Sequence, residues 1–171
     1  MAQGLEEDQM SAHQHPQSAQ GQSETGLPQA AALLTYAGSL PAIIAAIFLW
    51  LRPEDFGAEA KTFLLLYGGA LLTFFGGVRW GIAVMRPGGP TYMNLLGGIW
   101  PMLVAMPVFF LEDNRIRFLI IVLALPVLLW DDLRETRSGS GAPQWYLGVR
   151  APLTVIMEIA FILAALKTLL G

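Results

Sequence analysis

The sequence contains no cysteine, so no disulfide, thiolate nucleophile or Cys-based metal site is available to it. Charge is also scarce. Only 13% of the 171 residues are Asp, Glu, Lys or Arg, against about 25% in an ordinary soluble domain. No run of clustered Lys and Arg occurs and the net charge is −3, which excludes a basic nucleic-acid patch. Histidine is confined to His13 and His15. A histidine base, an axial haem ligand or a metal-binding histidine within the apolar part of the chain is therefore excluded. Residues 1–28 contain no Lys or Arg and hardly an aliphatic side chain. That composition predicts a disordered polar tail, with His13 and His15 as members of it rather than as a metal site. It also lacks the positive start of a secretory signal and the arginines of a mitochondrial transit peptide.

What is abundant is apolar surface. The chain is 54% hydrophobic with mean hydropathy +0.53. The apolar residues fall in runs over about 30–51, 62–85, 95–111, 116–131 and 150–170. A hydrocarbon layer takes about 20 residues of helix. The expected fold is therefore all-α, a multi-pass membrane bundle of about five transmembrane helices over residues 29–171. The fourth run is short, and full crossing and partial re-entry both stay open for it. Pro41, Pro101, Pro107 and Pro152 lie in these runs, where neighbouring helices can satisfy the carbonyls they free. Trp50, Trp130, Trp145 and Tyr146 stand at run ends, as an interfacial aromatic belt requires. Residues 52–61 read as a charged loop and Arg86-Pro87-Gly88-Gly89-Pro90 as a turn. No internal repeat is visible and five is odd, which speaks against an inverted-repeat transporter. Basic residues divide four to five between the two sides. The first helix, with bases only after it, leans toward the tail outside.

The second run holds the most distinctive residues, Phe74-Phe75-Gly76-Gly77-Val78-Arg79-Trp80-Gly81. Gly69, Thr73, Gly77 and Gly81 recur every four residues, with Gly76 and Trp80 alongside. This predicts a small-residue seam for a neighbouring helix, and Gly77→Leu is expected to break it. Arg79 falls on another arc with Gly68, Leu72 and Ala83. At mid-membrane it would cost roughly 2.5–3.5 kcal/mol. It either snorkels toward Arg86 or has an internal partner. Glu158 is the expected partner, because Arg150, Thr154 and Glu158 share one face of the last helix. Asp131 and Asp132 are alternatives if the fourth helix ends near Arg79.

Three motifs resemble a known family. Phe75-Gly76-Gly77-Val78-Arg79-Trp80-Gly81 is similar to its glycine-rich motif ending in His or Arg, Trp and Gly. Tyr36-Ala37-Gly38-Ser39-Leu40-Pro41 resembles its first helix, and Trp145-Tyr146-Leu147-Gly148-Val149-Arg150 with Leu153-Thr154 resembles its ending. The family is the transmembrane protein 69-like family, DUF3429, multi-pass proteins of unknown function. Ala42 after the proline and Val149 before Arg150 depart from its pattern. The resemblance implies membrane embedding and no assigned activity. With the unbasic tail, the expected location is a bacterial inner membrane.

No HExxH, P-loop, GxSxG or paired-carboxylate motif occurs. Asp131-Asp132 reads as a solvated helix boundary rather than a magnesium site, and Met93, Met102, Met106 and Met157 read as packing. No cofactor is expected. The leading expectation is a non-catalytic accessory or assembly component packing against other membrane proteins or against further copies of itself. The alternative is a small carrier or channel for an anion, proton or lipid, lined by Arg79, Arg150 and Glu158. An enzyme ranks third.

Overall fold

The structure, a computed structural model, describes residues 27–139, 141–143 and 145–170. Expectations for residues 1–26, His13 and His15 among them, lie outside the described residues. Within these, five helices follow one another: α1 Gln29–Leu51, α2 Pro53–Val84, α3 Tyr92–Phe110, α4 Asn114–Arg137 and α5 Tyr146–Leu170. Four of them, α1, α2, α3 and α5, are long and apolar enough to cross a membrane.

The fourth run differs from the expectation in length. It forms an unbroken 24-residue helix, about 36 Å long at 1.5 Å per residue. Its last turns carry Asp131, Asp132, Arg134, Glu135 and Arg137, which dilute its apolar character. Phe118, Ile121, Leu125 and Leu128 on α4 are nonetheless completely buried, so it is packed into the bundle.

The expected loop over 52–61 is also helical. Pro53 opens α2 at its first position, with Glu54 and Asp55 in the first turn. A proline there loses no hydrogen bond, and the acids face the positive end of the helix dipole. The 32 residues of α2 reach about 48 Å, well beyond the roughly 30 Å of hydrocarbon. Its charged first turns are therefore surplus to the length that the hydrocarbon layer requires.

The sharp return from α2 to α3 needs two left-handed residues, supplied by Gly88 at φ 86° and Gly89 at φ 87°. Thr91 then caps α3 by accepting the backbone N–H of Asn94 at 3.3 Å. In α1, Pro41 leaves the Ala37 carbonyl without its usual donor. Beside it the Tyr67 hydroxyl of α2 donates to the Gly38 carbonyl, tying the two helices at that point.

Leu64, Leu65 and Leu72 of α2, Phe118 and Ile121 of α4, and Met157 and Phe161 of α5 form the centre of the core. The buried face of α2 runs through Leu65, Gly68, Gly69, Leu72, Phe75, Gly76, Arg79 and Ala83. The arc that carries Arg79 is thus the one turned inward.

Candidate functional site

At the end of the bundle where α2 and α4 finish and α5 begins, four charged side chains meet. Arg79 is only 8% exposed. Its Nη2 lies 2.8 Å from Asp131 Oδ2 and its Nη1 2.9 Å from Asp132 Oδ1. The other oxygen of Asp132 accepts from Arg150 Nε at 2.9 Å. Arg150 also donates to Thr154 Oγ1, and the Thr154 hydroxyl donates on to the Arg150 carbonyl at 2.9 Å. The Arg150 guanidinium stacks 3.5 Å from the centre of the Phe75 ring, a cation–π contact. Asp132 therefore bridges two arginines from two different helices, and the two Arg and two Asp sum to zero charge. Buried arginines are tolerated in a low-dielectric setting only when paired in this way.

Two more features shape the cluster. A Cβ on Gly97 of α3 would lie 2.7 Å from Arg79 Nη2, so Gly97 makes the room in which the guanidinium sits. A second polar layer stands next to it. There Arg86 Nη1 donates to Asn94 Oδ1 at 3.1 Å, and Asn94 Nδ2 donates to Glu135 Oε2 at 2.8 Å. Between the layers lies a cavity of about 30 Å³ lined by residues including Arg79, Asn94, Asp132, Glu135 and Tyr146, about the share of one water molecule. Arg79 Nε, Arg150 Nη2 and the Tyr146 hydroxyl are buried without a hydrogen-bond partner among the described residues.

The expected pairing of Arg79 with Glu158 is corrected: the partners are Asp131 and Asp132. Arg79 does not snorkel to Arg86. Arg150 and Thr154 do share the inward face, but Glu158 lies one turn deeper and its Oε2 is buried with no hydrogen-bond partner among the described residues. Helical spacing gives the direction of a side chain but not its depth. Depth is what brings the C-terminal end of α4, rather than Glu158, level with Arg79. Asp131 stands at the rim of the cluster, 34% exposed, and Trp80 points outward, 41% exposed.

The expected seam is corrected too. Gly69 packs under the Phe109 ring, where a Cβ would lie 2.7 Å from the ring Cζ, and a Cβ on Gly76 would lie 2.6 Å from the Gly98 carbonyl oxygen. Thr73, by contrast, is exposed, and a Cβ on Gly77 or Gly81 would meet nothing within 4 Å. Positions four apart drift by about 40° per step, because an α-helix has 3.6 residues per turn. Three steps from Gly69 carry the stripe off the α3 face. Gly97 and Gly98 of α3 are not among the expected packing residues. Their signal is an adjacent glycine pair inside an apolar run.

Comparison with known proteins adds three findings. The family described as "Protein of unknown function (DUF3429)" matches residues 27–166. Transmembrane protein 69 of Xenopus tropicalis is 29% identical over 138 residues, covering 79% of this chain and 53% of that protein. Transmembrane protein 69 of Mus musculus is 25% identical over 138 residues, covering 79% and 55%. The chain thus spans about half the length of these curated relatives. No solved structure matches. With a family match that takes in all five helices almost to the end of α5, and with spans long and apolar enough for a bilayer, this chain is a membrane protein and belongs to the DUF3429 family.

Proposed function

We propose that this membrane protein is a non-catalytic accessory or assembly component that packs against another membrane protein through the outward side of α2. The observation that carries the reading is the free small-residue stripe. Gly69 and Gly76 are used inside the bundle, whereas Thr73, Gly77 and Gly81 turn outward with no neighbour at either glycine's Cβ position. Small residues let a second helix backbone approach closely, where van der Waals packing drives association in lipid. The Arg79–Asp132–Arg150 bridge supports the same reading, because its charges are paired across three helices. On this reading the protein sits in a bacterial inner membrane with residue 27 and the ion cluster on the outer side.

Gly77→Leu is expected not to destabilise the isolated protein, since its Cβ position is open and leucine forms helix better than glycine. It should abolish recovery of the associated protein, or of a larger oligomer, after extraction in mild detergent. A wild-type protein that purifies only as a monomer with nothing bound would end this reading.

One observation favours a second reading, a carrier for a proton or small anion. A polar cavity lies at Arg79, and one turn beyond Thr154 the Glu158 Oε2 is buried without a hydrogen-bond partner among the described residues. Proteoliposome flux should then fall at least tenfold in Glu158→Gln. Flux equal to the wild type, or none above empty liposomes, removes it.

A further inference from the structure

The opposite end of the bundle carries two apolar clefts, one on each flank of the C-terminal half of α5. Between α1 and α5 a cleft of about 490 Å³ is walled by Ile43, Ile47, Trp50, Ile159 and Leu163. Trp50 Nε1 donates to the Leu163 carbonyl at 3.0 Å, joining the two helices there. One turn beyond Leu163, the Lys167 ammonium lies 5.6 Å from the centre of the Trp50 ring. Between α4 and α5 a second cleft of about 350 Å³ is lined by Leu119, Val122, Ile162 and Leu166, with Arg115 as its one charged member. Neither Lys167 nor Arg115 forms an ion pair with a carboxylate among the described residues. The arrangement is therefore the same on both flanks: an apolar slot ending in an uncompensated cation.

We infer that both clefts are binding sites for an anionic phospholipid, its acyl chain along the slot and its phosphate on Lys167 or Arg115. A partner helix fits less well, because close helix approach calls for a stripe of small residues, and only Ala46 and Ala160 in the first cleft and Ala165 in the second are small among walls of Ile, Leu, Val and Trp. An acyl chain is already as well solvated by bulk lipid as by leucine, so the slot supplies shape. The preference for negative headgroups comes from the cation, since neither base is ion-paired among the described residues. The Trp50 ring sits beside Lys167, at the headgroup level where tryptophan settles. One basic side chain near the surface shifts anionic-lipid binding about fivefold.

The test is a lipid titration of the full-length protein in mild detergent, read by native mass spectrometry with phosphatidylglycerol and phosphatidylcholine. Two molecules of phosphatidylglycerol should bind, more tightly than phosphatidylcholine. Lys167→Gln and Arg115→Gln should each weaken one of them about fivefold. Ile159→Trp, at a position 55% exposed, should fill the first cleft and remove one lipid with Lys167 intact. Phosphatidylglycerol binding no tighter than phosphatidylcholine would overturn the inference. So would a Lys167→Gln/Arg115→Gln double variant that binds like the wild type. An unchanged size-exclusion profile shows that each variant is folded.

Discussion

Asp132→Ala is expected to destabilise the protein by about 3–5 kcal/mol, the usual cost of removing one partner from a buried ion pair. Asp132 is 4% exposed and is the only carboxylate that Arg150 touches among the described residues. Without it the Arg150 guanidinium, 2% exposed, keeps only Thr154 and the Phe75 ring. Arg79 keeps Asp131 at the rim. Asp131→Ala is accordingly expected to cost about 1 kcal/mol or less, as for a partly exposed pair. Thermal unfolding in detergent, scored on the two variants side by side, decides the matter. Equal losses would mean that the bridge through Asp132 does not hold the helix ends together. A variant that replaces Arg79, Asp131, Asp132 and Arg150 together by apolar residues of similar volume should recover much of the loss. Fully removed buried pairs are often neutral, whereas half-removed ones leave an orphan charge.

The second large effect is expected at the contact of α2 with α3. In Gly76→Leu the new side chain starts 2.6 Å from the Gly98 carbonyl oxygen. A backbone atom inside a helix cannot rotate aside, so the two helices must separate. Overpacking a tight core costs about 1–3 kcal/mol, occasionally more, and a clash with backbone belongs at the upper end. Gly98→Ala meets the backbone of Trp80 at 2.9–3.0 Å and should behave alike. Gly77→Ala is the control one residue away. It meets nothing, and replacing a helical glycine by alanine stabilises by roughly 0.5–1 kcal/mol. Opposite signs at Gly76 and Gly77 in the same unfolding assay are the expected result. The same sign at both would place the α2–α3 contact elsewhere.

The membrane bundle is legible from the sequence because hydropathy and the scarcity of charge need no tertiary information. Helix ends are less so. Glu54 and Asp55 look like loop residues until their place in the first turn after Pro53 is considered. Arg79 is recognisable as an exceptional residue from its surroundings alone. Its partner is not. Glu158 lies in an apolar run, and the lone acid there attracts attention. Asp131 and Asp132 sit at a helix end where carboxylates are usually solvated, and only the relative depth of α2 and α4 shows them to be the partners. The seam is half legible. Gly69 and Gly76 follow from the spacing of small residues, but a four-residue stripe leaves the face on which it starts after a few turns. Gly97 is marked only as half of a glycine pair in an apolar run, and the space it leaves for Arg79 cannot be read from that, because the need for it comes from another helix.

The ion cluster also has a temporal side. Its members stand at positions 79, 131, 132 and 150, and chains are synthesised from the N-terminus at about 5–20 residues per second. Arg79 therefore reaches the membrane roughly 50 residues, several seconds, ahead of its carboxylates. During that interval the second helix holds an uncompensated cation. The charge balance of the cluster closes only when the final helix delivers Arg150. A nascent protein truncated before residue 131 would be a poor substrate for release into lipid and a good one for prolonged contact with the insertion machinery.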